Sequence, residues 1–337
     1  MAVTRSVRRA LRPIKSFARR LRLVDPVPVP REPVRPVVPD VPLEIATDGS
    51  ADFVWRATRL PDVGPVPWLD RPGALATLPR LKRQQTLTAD EAELCRQWIT
   101  DGYVIVRGLL DRPTLDRAWE AYETRIANDQ IPLDPAGSQG PGDELPGRSL
   151  NPHWRVPEFR DVLEDRRLVD VVELLLGVEA LPFQTISGHK ASQQPFHSDS
   201  IHMTTYPRGY LVANWIAFED IEADSGPLQF VPGSNRLPTV YADDVGIVDG
   251  EPLPTIYAEF EEKYTPHITM LAESQARPVK TFTASAGDVL FWHANLLHGG
   301  SMRTNYARSR KALVCHYFAK GCVCYHDLTG TLSYVHV

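Results

Sequence analysis

Cysteine is scarce, with only Cys95, Cys315, Cys322 and Cys324 in 337 residues. Four thiols cannot staple a chain this long, so its core must come from apolar burial rather than a disulfide framework. There is no run near the ~18 consecutive apolar residues that a membrane-spanning helix needs, and no apolar leader ahead of a cleavage motif. These absences point to a reducing, cytoplasmic setting. Positive charge is short in the body: residues 1–45 hold ten Lys and Arg against four Asp and Glu, leaving 27 of the 37 basic side chains against 38 of the 42 acidic ones. An acidic body offers no basic face to a phosphate backbone, so nucleic acid is not an expected partner.

The one segment with an excess of basic charge is the start. Val3, Val7, Leu11, Ile14, Phe17 and Leu21 recur three or four residues apart, with Arg and Lys on the other face and Pro13 as an interruption. This is the pattern of a kinked amphipathic segment. Seven prolines from Pro26 to Pro42 then favour an extended linker. Residues 1–45 are therefore read as a basic arm and Pro-rich linker ahead of one domain, 46–337. Such an arm suits peripheral contact with an anionic membrane, a plain tail being the alternative. Residues 46–85, with Trp55 and Trp68 among Pro and Gly, show no period and read as an irregular wrap.

Regular structure begins where Thr88 and Glu91 have capping-box spacing, predicting a helix to about Thr100. Asp101-Gly102 turns the chain into the strand YVIVRG, and helices over 112–128 and 166–176 flank a Gly/Pro-rich loop, 131–148. From residue 181 the texture changes to short strands: LPFQTISGHK, QQPFHSD, YLVANWIAF, PLQFVPGS, VKTFTA, DVLFWHA and KALVCHYF. An insertion over 240–276, helical around 257–271, interrupts them. The expected fold is mainly β with flanking α: a double-stranded β-helix, that is a cupin-like jelly-roll barrel, backed by helices.

His197-Ser198-Asp199 ends one apolar strand segment, and the period of two turns His and Asp to one face. An imidazole and a carboxylate on one face are two-thirds of a facial iron site. The other imidazole comes from His298, after the buried strand DVLFW and ahead of two glycines that allow close backbone approach to a ligand. Arg310, twelve residues on, opens another strand and is suited to a bidentate grip on the distal carboxylate of 2-oxoglutarate.

These segments resemble the phytanoyl-CoA dioxygenase family over residues 88–318, in DGYVIVRGLL, HSD at 197–199, the Trp of VANWIAFED, SGPLQFVPGSN, HGG at 298–300 and RKA at 310–312. The resemblance implies that His197, Asp199 and His298 hold iron(II), that Arg310 binds 2-oxoglutarate and that Trp215 lines its pocket. Dioxygen is the second cosubstrate. Asn235 and Gly300 depart from the family's usual residues, and Arg308 is a rival to Arg310. The carboxylate of Asp199 argues for hydroxylation over halogenation. The implied activity is hydroxylation of an unactivated C–H bond in a small molecule. Desaturation, epimerisation or cyclisation at the same site, or a non-catalytic metal-binding jelly roll, are the alternatives.

Lys190, Gln193 and Gln194 either meet polar groups of the ligands or are strand surface. His202, Thr204 and Tyr206 either line the substrate mouth or form a solvated loop. His293 reads as a packed histidine. Cys315, His316, Cys322, Cys324 and His326 lack standard zinc spacing and are better explained by strand alternation. Specificity is expected in the loops and in the 240–276 insertion.

Overall fold

A computed structural model of the chain describes residues 54–60, 64–134 and 143–335; the expected arm and linker lie outside the described residues. The first α-helix among the described residues, α1 (Ala74–Arg83), falls where an irregular wrap was expected. Gly73 and Pro79 read as breakers, yet Leu78 and Leu81 anchor one face of α1 in the core, and burial outweighs the local penalty. Helix α2 (Ala89–Asp101) begins as predicted: the Thr88 hydroxyl accepts from the Glu91 N–H, and the Glu91 carboxylate accepts from the Thr88 N–H at 2.6 Å. It ends at Gly102, whose positive φ of 76° and contact with Asn235 both exclude a Cβ.

Strand β1 (Tyr103–Val106) and helix α3 (Arg112–Ala127) follow, then β2 (Ser149–Leu150), α4 (Pro157–Leu163), α5 (Arg166–Leu176) and β3 (Ala180–Gly188). The remaining elements are β4 (Thr204–Tyr206), β5 (Leu211–Ala217), β6 (Leu228–Phe230), α6 (Leu253–Glu259), α7 (Thr265–Glu273), β7 (Lys280–Phe282), β8 (Val289–His293), β9 (His298–Gly300), β10 (Ala312–Ala319), β11 (Val323–His326) and β12 (Thr331–Val335). They build an antiparallel six-stranded sheet ordered β1-β8-β5-β10-β3-β2, and two three-stranded sheets, β7-β6-β9 and β12-β11-β4.

The large sheet is covered on both faces, and its strands show why. On β8, Val289 and Phe291 join the cluster under the helices, with Leu115, Trp119, Val171 and Leu175. Leu290 and Trp292 turn the other way, against Phe230 and Phe282 of the small sheet. Period-two alternation with both faces apolar makes a central layer, which confirms the helix-backed jelly roll. Among the described residues, no helix is long and apolar enough to cross a membrane.

One strand expectation needs correction. QQPFHSD contributes a single bridge, His197 to His298, rather than a strand. Cys324 and His326 fall in β11, in line with the strand alternation expected there, whereas β12, short and preceded by the turn at Gly330, was not marked by the sequence. The insertion forms α6, a π-helical turn over Phe260–Tyr264, and α7. It buries Ile256, Phe260, Tyr264 and Ile268 against Ile201, Val231 and Leu297, behind the segment that carries His197 and Asp199.

Candidate active site

His197 exchanges two backbone hydrogen bonds with His298 of β9, each 2.9 Å, which brings the imidazole centroids to 4.4 Å. Ser198 is extended (φ −105°, ψ 149°), so Asp199 returns to the same side although it opens a 3-10 turn. The two-residue spacing therefore survives without the expected strand. Gly299 and Gly300 make the approach feasible: a Cβ on either would lie 2.7 Å from backbone atoms of Gln194 or Gln193. Their small size serves chain against chain, and both also border the cavity beside the triad.

Donor atoms of His197, Asp199 and His298 all lie within 4.8 Å of one another, with all three residues buried, and His298 Nε2 is 3.5 Å from Asp199 Oδ1. Each imidazole has Nδ1 at 2.9 Å from a backbone carbonyl, Pro195 O for His197 and Leu296 O for His298. A carbonyl only accepts, so Nδ1 carries the proton and Nε2 keeps its lone pair for a metal. Burial pushes both imidazoles down to about 4, so they are neutral at pH 7. Two neutral imidazoles with fixed tautomers and one carboxylate fit iron(II) with coordination positions to spare.

Trp292 and His316 were not recognised as site residues from sequence. Trp292 Nε1–H donates to Asp199 Oδ2 at 2.7 Å, and His316 Nε2 is 3.9 Å from the same oxygen. The available signal was strand alternation, which puts Trp292 on the inner face of β8, and His316 on the face of β10 that Ala312 and Val314 share. The four thiols are free and buried. Among the described residues, the His-Asp-His group alone could hold a metal, so the cysteine and histidine cluster gathers no zinc site.

Beside the triad lies a cavity of about 110 Å³, bordered by Trp215, Trp292, Arg310, His316, Lys190 and Gln194. Arg310 is 9% exposed. Its Nη1 donates to Gly226 O at 3.2 Å, its guanidinium lies 5.4 Å over the Trp215 ring, and its Nε has no partner. Among the described residues no carboxylate pairs with it. Burial, with the neighbouring Arg303 charge, lowers it to about 10, which still leaves it cationic at neutral pH. A buried cation with a free donor beside a cavity has the chemistry to receive an anion. Arg308 is instead at the surface, bonded to Asp224 at 2.8 Å.

Lys190 borders the cavity, but its Nζ is shared with Asp143 at 3.2 Å, and Arg303 reaches the same carboxylate oxygen at 2.8 Å. Gln194 also borders it, and its carbonyl accepts from the Gly300 N–H. The Gln193 side chain accepts from the Arg303 N–H at 2.6 Å. Thr204 and Tyr206 are buried in β4 rather than in a solvated loop, and the His202 ring stands 5.9 Å from the His197 ring; none of the three borders the cavity. His293 packs near Trp98 and meets Asp70 at 3.2 Å, as a packed histidine should. No described residue of the 240–276 insertion borders the cavity.

The sequence profile of the family described as Phytanoyl-CoA dioxygenase (PhyH) matches residues 98–312. The chain belongs to the phytanoyl-CoA dioxygenase family. Peroxisomal phytanoyl-CoA dioxygenase of Mus musculus is 29% identical over 249 residues, 68% of this chain and 69% of the relative. The Bos taurus enzyme is 24% identical over the same length and shares.

Among solved structures, the non-heme alpha ketoglutarate dependent carbocyclase SnoK from nogalamycin biosynthesis aligns with a TM-score of 0.56 at 17% identity, over 77% of this chain and 89% of that one. The epimerase SnoN, in complex with Fe3+, alpha ketoglutarate and nogalamycin RO, aligns at 0.53 and 22%, over 70% and 86%. EctD from S. alaskensis, with 2-oxoglutarate and 5-hydroxyectoine, aligns at 0.50 and 18%, over 69% and 76%. They share the fold of this family member. Family and donor set together make it an oxygenase of the iron and 2-oxoglutarate class.

Proposed function

We propose that this enzyme hydroxylates an unactivated C–H bond of a small organic molecule, with His197, Asp199 and His298 as iron(II) ligands and Arg310 as the anchor of 2-oxoglutarate. The observation that carries the reading is the unpaired, buried guanidinium of Arg310 beside a cavity that the triad also borders. A fork of this kind matches a carboxylate, and Trp215 beneath it limits where the rest of the keto acid lies.

Bound iron(II) supplies the redox chemistry: substrate, 2-oxoglutarate and dioxygen become hydroxylated product, succinate and carbon dioxide. The protein's part is positional. Backbone carbonyls of Pro195 and Leu296 fix the two imidazole tautomers, Asp199 contributes the anionic donor, and Trp215, Leu228 and Trp292 are among the apolar residues of a wall that is otherwise polar. Lys190 and Gln194 line the same cavity and serve ligand binding there. Retention of Asp199 as a carboxylate fills the position that a halide would take. Hydroxylation asks least of the surroundings, because the carbon that loses hydrogen also receives oxygen. The other outcomes need a second atom or face of the substrate to be presented.

The test is succinate release by iron-loaded enzyme across a panel of small molecules under labelled dioxygen, with the product mass read in parallel. Gain of one labelled oxygen is the expected result. Loss of two hydrogens or an unchanged mass would move the reaction to desaturation, cyclisation or epimerisation. No succinate with any candidate, beside intact metal binding, would favour a non-catalytic binding module.

A further inference from the structure

The Asp199 carboxylate has two oxygens with different surroundings. Oδ1 faces the His298 Nε2 at 3.5 Å. Oδ2 accepts the Trp292 indole N–H at 2.7 Å, and the His316 imidazole stands 3.9 Å from it on the same side. Trp292 is 2% exposed in the cluster between the sheets, and its ring lies 5.0 Å from the His298 ring. Its indole is thus held by packing and has little freedom to release the bond. Resting on the metal reading above, we propose that Trp292 is a positioning residue that occupies Oδ2, so that Asp199 meets iron through Oδ1 alone.

The physical consequence concerns room at the metal. Three protein donors, a chelating keto acid and dioxygen would together take up the six positions that such an ion offers. A second oxygen from Asp199 would displace one of the others. A carboxylate free to rotate about its terminal torsion samples both modes, since that torsion is broad. The charge-assisted indole bond favours a single orientation and keeps the remaining positions for the cosubstrates. No backbone group performs this service for Asp199 among the described hydrogen bonds, in contrast to the two histidines with their carbonyls.

Trp292→Phe removes the N–H and keeps an aromatic ring in the same place. The core also loses volume, so Leu290→Ala serves as the packing control: Leu290 lies on the same inner face and in the same cluster but, unlike Trp292, does not border the cavity. The full-length protein is titrated with Co(II), reading the visible absorption and the dissociation constant, and the cobalt form is then titrated with 2-oxoglutarate. Thermal melting of the apo proteins is recorded beside it.

Both variants should melt earlier than wild type. Only Trp292→Phe should bind Co(II) more weakly, by roughly 10- to 100-fold, with an altered absorption band and weaker 2-oxoglutarate binding. If Trp292→Phe matches Leu290→Ala in all the titrations, Trp292 is a core residue and the inference is overturned. Failure of the wild type to bind Co(II) would sink the metal reading itself, a distinguishable result.

Discussion

Arg310→Met should have opposite effects on the apo protein and on the complex with 2-oxoglutarate. In the protein without cosubstrate, burial and the charge of Arg303 lower the guanidinium to about 10 from an ordinary value of 12.5. Holding it charged at pH 7 therefore costs the fold about 3 kcal/mol. The sign follows from a base whose folded value is depressed: the penalty is fully present below pH 10 and is relieved only as pH rises past it. Methionine fills similar volume with no charge, so the apo melting temperature should rise, as when other buried charges are replaced by apolar groups.

The same change should weaken 2-oxoglutarate binding. Removing one partner of a buried ion pair costs about 3 to 5 kcal/mol, which is roughly two to four orders of magnitude in dissociation constant. Arg310→Lys keeps the charge and loses the fork, for about 1.5 to 3 kcal/mol. Arg308→Lys should leave binding near wild type, because Arg308 is 44% exposed and engaged with Asp224. The assay is a melt with Co(II) and increasing 2-oxoglutarate. At 100 times its dissociation constant the ligand stabilises wild type by about 2.7 kcal/mol, and Arg310→Met should keep at most about 0.4 kcal/mol of that gain at the same concentration. Undiminished stabilisation of Arg310→Met, or loss in Arg308→Lys instead, would refute the assignment.

Three further outcomes follow from the same geometry. Alanine at His197, Asp199 or His298 should abolish Co(II) binding by titration while circular dichroism stays native; full metal affinity in one variant removes that residue from the triad. Gly300→Ala places a Cβ 2.7 Å from Gln193 N, so it should separate β9 from the 193–195 segment and lower both stability and metal affinity; unchanged Co(II) binding would mean that the chains adjust. The buried imidazole of His153 is lowered to about 4 by desolvation and then by Arg160. Its contribution to stability is present above pH 6.5 and is lost as pH falls from there toward 4, with a slope of at most about 1.4 kcal/mol per pH unit. His153→Gln should flatten the denaturation profile in that window, and an identical slope would assign the acid sensitivity elsewhere.

The sequence by itself determined the helix-backed jelly roll, the triad and the cosubstrate arginine as candidates. Each rests on a local rule that survives folding: capping at Thr88, alternation along β8 and β10, and an extended Ser198 that keeps His197 and Asp199 on one side. Tertiary structure decided the rest, because those features depend on residues far apart in the chain. Arg308 and Arg310 have similar chemistry, and only Asp224 at the surface and Trp215 beneath the cavity separate them. Helix α1 forms despite Gly73 and Pro79 because a core provided by other elements receives Leu78. The insertion packs behind the ligand segment rather than over the cavity. Trp292 and Asp199 are 93 residues apart, and no local pattern brings an indole N–H to one chosen carboxylate oxygen. The pairing of β9 with His197 and the stacking of two sheets do so, since packing fixes both side chains at once.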